Sequence, residues 1–187
     1  MSYKSKGSLF ERTICKKLTL WASGKEKPIW YWRTAGSGAQ VSVTGDIHST
    51  MAGDIMPLVP EAKFLSDIFI FECKNRKTVN VLDFIEHPKS DSVWEWWNSV
   101  KFDCMGTKRR PFLIFHRHNS KQNYCCIQKT VYDKLKATEA KFGRILSYKN
   151  IVIMNFDGFL NGIEPWNLAI ALKGIKTGNK VRNNYNA

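Results

Sequence analysis

A chain of 187 residues, 43% hydrophobic and 13% aromatic, carries enough apolar mass for one compact core. No apolar run reaches the ~20 residues of a membrane span. Met1–Ser8 lacks the pattern of a signal peptide, and the five cysteines (Cys15, Cys73, Cys104, Cys125, Cys126) are scattered without CxxC spacing, so a soluble, cytoplasmic protein with reduced thiols is expected. Against 16 Asp and Glu stand 29 Lys and Arg, a net charge of +13, which points to a polyanionic partner, nucleic acid first.

In chain order, Leu9, Phe10, Ile14, Leu18 and Trp21 recur at helical spacing with Lys16 and Lys17 opposite, predicting an amphipathic helix over Ser5–Trp21 that carries Glu11. Ser23-Gly24 ends it. The aromatic run Ile29–Thr34 is β-prone and feeds the small-residue loop Ala35–Ala39; Val41 and Val43 then alternate with polar neighbours. A further β-prone piece, Ile55–Val59, stops at Pro60, and the turn Pro60–Lys63 leads into Leu65–Lys74, the strongest strand of the chain. These two pieces are expected to form a hairpin. Val79–Ile85 reads as a short helix or irregular segment, and Ser92–Phe102, with Trp94, Trp96, Trp97 and Val100, as a helix. Pro111–Arg117 and Tyr124–Gln128 predict a second hairpin around the polar turn Asn119–Asn123. Val131–Phe142 follows as a helix, Ile151–Met154 as a buried strand and Trp166–Leu172 as a last helix. The expected organisation is one domain over 1–172 and a basic, flexible tail over 173–187 holding Lys176, Lys180 and Arg182.

Residues two apart on a strand share a face, so Ile70, Glu72, Lys74 and Arg76 point one way while Phe69, Phe71 and Cys73 point the other. Gly53-Asp54-Ile55 supplies a second carboxylate at the start of the preceding strand. Two carboxylates with a main-chain carbonyl, that of Cys73, would make a hard oxygen site suited to Mg²⁺ or Mn²⁺. With an ammonium beside them, such a set can activate water and stabilise charge on a phosphate.

Four features resemble the PD-(D/E)XK nuclease superfamily, particularly its phage and archaeal Holliday-junction-resolvase-like branch. They are the opening GSLFER, the loop RTAGSG, Gly53-Asp54-Ile55 and Glu72-Cys73-Lys74, and the likeness covers roughly residues 5–117. It implies an α/β fold with a central mixed β-sheet flanked by helices, a restriction-endonuclease-like core, making 1–172 the nuclease domain. It implies metal binding by Asp54, Glu72 and the Cys73 carbonyl, water activation by Lys74 and a supporting role for Glu11. The implied activity is Mg²⁺-dependent endonucleolytic cleavage of DNA, branched or duplex, in recombination, repair or phage genome processing. Symmetric cutting of two strands would suit a homodimer. Gly53 stands where many members have proline.

Other readings compete. Gly45-Asp46-Ile47 repeats the triplet, and Asp46 is a turn carboxylate or an alternative ligand, with Asp54 favoured by its shorter separation from Glu72. Glu11 is an active-site acid or a surface residue paired with Arg12 or Lys16. Arg33, Ser37 and Gly38 form a phosphate grip or a plain glycine turn. His116 and His118 share a strand face, but no further ligands suit zinc, and DNA-facing histidines beside Arg117 are preferred. Trp94 and Trp97 share a helix face and suit packing better than base stacking. Arg76, Lys77, Lys101, Lys108, Arg109 and Arg110 are the candidates for neutralising backbone phosphates. A duplex nuclease of restriction or degradative type is the nearest alternative, and a non-catalytic DNA-binding protein the next.

Overall fold

A computed structural model describes residues 3–34, 52–76, 79, 92–117 and 121–173. Ser37, Gly38, Val41, Val43, Asp46, Lys77, His118, the segment 80–91 and the tail beyond 173 lie outside the described residues.

The amphipathic opening folds as helix α1 (Tyr3–Ser23). Gly24, at φ 68°, ends it in the left-handed conformation and returns its N–H to the Leu20 carbonyl at 2.8 Å. Strand β1 (Tyr31–Arg33) pairs antiparallel with β2 (Ile55–Pro57) in a separate two-stranded ribbon. A 3₁₀ turn at Pro60–Ala62 leads to helix α2 (Lys63–Ile68), and strand β3 (Phe69–Arg76) starts one residue later. Helix α3 (Ser92–Asp103) crosses to β4 (Arg110–Arg117), which runs parallel to β3. Strand β5 (Asn123–Gln128) completes a hairpin with β4, as expected. Helix α4 (Lys129–Lys136), strands β6 (Ile145–Tyr148) and β7 (Ile151–Asn155), helix α5 (Phe156–Gly162) and helix α6 (Pro165–Lys173) close the fold. The main sheet is mixed, in the order β3-β4-β5-β7-β6, and β3 is its edge.

The expected α/β core is therefore present, but the first hairpin is not. Strand β2 pairs with β1, β3 finds its ladder in β4, and Leu65–Ile68, expected as the start of the strand, belong to helix α2. The reason is spacing: Phe64, Leu65 and Ile68 are all buried and recur at the helical interval, whereas strict alternation begins only at Phe69. Helix α4 ends at Lys136, short of the expected Phe142.

Helices cover both faces of the sheet. On one, Ile14 and Leu18 of α1 pack with Phe69, Phe71, Phe112, Ile114 and Phe159. Phe112 is the hub, with ring centroids 5.0 Å from Phe69, 5.1 Å from Phe71 and 5.2 Å from Phe159. On the other, Val93, Trp96, Trp97 and Val100 of α3 cover Ile70, Leu113 and Phe115. The tryptophans thus pack, and Trp94 stands at the margin under the Lys149 ammonium, 5.4 Å from its ring. Among the described residues, no helix is long and apolar enough to cross a membrane. All five cysteines are free thiols.

Candidate active site

Asp54 is fixed from three sides. Its N–H donates to the Phe71 carbonyl at 2.7 Å, its carbonyl accepts from the Thr34 N–H at 2.9 Å, and its Oδ2 accepts from the Cys73 N–H at 2.7 Å. A carboxylate that is 94% buried is tolerable only when bonded in this way. Phe71 and Cys73 present these groups on the free side of β3, so Asp54 sits where a further strand would pair. Gly53 makes the approach possible. It has φ 89°, and a Cβ there would lie 2.6 Å from the Phe71 carbonyl oxygen and 3.1 Å from the Phe71 nitrogen. Proline, locked near φ −65°, could not adopt this backbone, which accounts for the departure from the proline common among the proteins the motif resembles.

Glu72 and Lys74 stand two apart on β3 and form an ion pair, with side chains 13% and 25% exposed. Burial, and next the charge of Asp54, push the Glu72 carboxyl up to about 7, while Lys74 pulls the other way. Asp103, the last residue of α3, also bears on Glu72; burial and then Asp54 raise its own carboxyl, with Lys74 opposing. Sequence reasoning passed over Asp103. Its signal was an acid at a helix C-terminus, where the dipole disfavours negative charge.

Glu11 bonds Arg33 Nε at 2.8 Å, rather than Arg12 or Lys16. It acts electrostatically on Cys15 and Cys73, which places it toward the α1 side of β3. Arg33 is thus already engaged by a carboxylate, and Arg12 lies over the Trp32 ring at 5.9 Å. Burial, followed by the Glu11 charge, drives the Cys15 thiol up to about 12, and burial and Asp54 raise Cys73 likewise. Both are inert core thiols.

Of the candidate phosphate contacts, Arg76 is exposed at the end of β3 with its guanidinium 5.7 Å from the Trp96 ring centroid. Lys101 and Lys108 are exposed, and Arg109 and Arg110 are half-buried, around the α3–β4 connection. His116 bonds Asn123 at 2.9 Å and packs on Phe10.

Among the described residues, no three His, Cys, Asp or Glu side chains converge closely enough to enclose a metal ion unaided. The donor set nevertheless fits a hard dication. Asp54 Oδ1 is not taken by the Cys73 bond, Glu72 is held in an unfavourable charged environment by Asp54, and the two carboxylates repel. An extended residue points its N–H and C=O the same way, so the Cys73 carbonyl shares the free edge with the N–H that binds Asp54.

A mixed sheet flanked by helices on both faces, with an aspartate clamped on its edge strand and a Glu-x-Lys pair along that strand, defines the restriction-endonuclease-like class of folds. Residues 2–169 match a family model described as "Phage putative PDDEXK endonuclease", and the chain belongs to that family. Membership places it among the nucleases, hydrolases of phosphodiester bonds. No curated protein and no solved structure matches the chain.

Proposed function

We propose that the protein is a Mg²⁺-dependent DNA endonuclease acting on branched DNA, with Mn²⁺ able to substitute. The observation that carries this reading is the juxtaposition of Asp54, Glu72 and Lys74 at the free edge of β3, on a chain of net charge +13. Asp54 Oδ1, Glu72 and the Cys73 carbonyl would hold the ion. When bound, it supplies Lewis-acid charge that acidifies a water and neutralises a phosphate oxygen.

The side chains divide the remaining work. Asp54 cannot rotate away, because the Cys73 N–H holds its carboxylate and the Phe71 carbonyl and Thr34 N–H hold its main chain. Lys74 has three donors and uses one on Glu72, leaving two to orient the attacking water and a non-bridging phosphate oxygen. Glu11 acts at one remove, holding Arg33 and β1 beside Asp54. Arg76, Lys101 and Lys108, all exposed, would neutralise flanking phosphates. A homodimer would suit cutting of two strands.

The test is cleavage of labelled four-way junction, linear duplex and single-stranded DNA with Mg²⁺, Mn²⁺ or EDTA, for wild type, Asp54→Ala, Glu72→Ala and Lys74→Ala. Expected is metal-dependent cutting, junction preferred, abolished in the three folded variants. Preferred cutting of linear duplex would move the protein to the restriction or degradative type, and binding without cutting under any ion would make it a non-catalytic DNA-binding protein.

A further inference from the structure

The outward face of α3 ends in an anomaly. Val93, Trp96, Trp97 and Val100 bury one side of the helix, while Glu95, Asn98 and Ser99 are exposed on the other. Amphipathic spacing calls for a polar residue at 102. Phe102 stands there instead, 72% exposed, and Met105 follows at 65%, the two greatest exposures among the described large hydrophobic residues.

These side chains do not belong to a slack loop. Met105 N–H donates to the Phe102 carbonyl at 2.9 Å, Thr107 N–H and Oγ1 donate to the Cys104 carbonyl at 3.0 and 2.8 Å, and Gly106 turns the chain at φ 76°. The turn is tied to the active site from inside: the Cys104 sulfur is within hydrogen-bonding reach of the Ile70 main chain, two residues from Glu72, and Asp103 feels Asp54 and Lys74. Exposed Lys101 and Lys108 flank the apolar pair. An apolar knob between cations beside a phosphodiester site matches a strand that presents phosphates to the lysines and a base face to the ring.

We propose that Phe102 and Met105 stack on a base unstacked from the DNA next to the scissile phosphate, so that unpaired or distorted DNA is recognised in preference to regular duplex. The recognition rests on the nuclease reading for its setting, but not on catalysis for its test. A stacked duplex base offers the ring only an edge, whereas a displaced base offers its face.

The experiment is equilibrium binding in EDTA to duplexes with or without a mismatch bubble, each carrying 2-aminopurine as a stacking reporter. Wild type is expected to bind the bubble more tightly and to quench its reporter. Joint Phe102→Ala and Met105→Ala substitution should weaken bubble binding by about tenfold, leave paired duplex nearly unchanged and remove the quenching, with Phe102→Trp alone retaining both. Equal losses on the two DNAs, no loss on either, or a dissociated self-association in place of a DNA effect would overturn the proposal. Wild type that binds in this way but never cleaves would sink the hydrolytic reading and leave the stacking site standing.

Discussion

Replacing Glu72 with glutamine should stabilise the protein at pH 8 and leave it unchanged near pH 4.5. The buried carboxyl titrates at about 7 in the folded chain against an ordinary value of 4.5. Below 4.5 the folded and unfolded chains both hold the proton. Between 4.5 and 7 only the folded chain does, so stability falls as pH rises, and above 7 the full difference is lost. At 1.36 kcal/mol per unit, that difference is about 3 kcal/mol, or ~6–12 °C in Tm for a chain of this size. Glutamine imitates the protonated acid, keeps an acceptor for Lys74 and has no charge to bury. Thermal unfolding followed by circular dichroism in EDTA, at pH 4.5 and pH 8, reads the effect directly. A Tm difference between variant and wild type that stays constant across that range would refute the reasoning. Asp54→Asn provides the control, since removing the second-largest cause of the shift should shrink the pH dependence.

Magnesium should behave in the opposite sense: at pH 8, millimolar Mg²⁺ is expected to raise the Tm of wild type and leave Glu72→Gln nearly unmoved, which calorimetry with and without EDTA checks. Gly53→Ala is expected to cost about 1–3 kcal/mol, because its Cβ would meet the Phe71 carbonyl, and to lose cleavage along with the position of Asp54; denaturant unfolding beside the nuclease assay separates the two losses. Phe112→Ala, at the aromatic hub, should cost about 3–5 kcal/mol with the Glu72 pH response intact in whatever folded fraction remains. Cys104, the one cysteine that is not fully buried, should be the first thiol modified by a disulfide reagent, and burial, which lifts it to about 12, should make even that reaction slow at pH 8.

What the sequence revealed of the site was its local part. Glu72 and Lys74 were legible because period-two alternation through FIFECKNR is a property of eight consecutive residues. Asp54 was legible by type and spacing, but the route by which it reaches Glu72 was not. A hairpin requires only proximity in the chain, whereas the ribbon with β1 and the parallel ladder with β4 depend on contacts between residues 22 to 41 positions apart. The core tryptophans followed from helical spacing. Strand β6, with its exposed and half-exposed alternation, was missed because an outer strand buries too little to mark itself. Asp103 was missed because its relation to Glu72 arises only when α3 is laid across β3.

Asp54 has a second consequence, for how the protein keeps to itself. An edge strand offers its open carbonyl and amide groups to any chain that passes, and β3 opens with the apolar, β-prone run FIF. By occupying the Phe71 carbonyl and the Cys73 amide, one aspartate imitates the hydrogen bonds of a missing neighbour while Gly53 lies flush against the strand. The residue that would hold the ion thus also guards the sheet from adding a foreign strand. An Asp54→Ala protein would be both inactive and sticky, and only a soluble, monodisperse preparation can attribute its lost activity to chemistry.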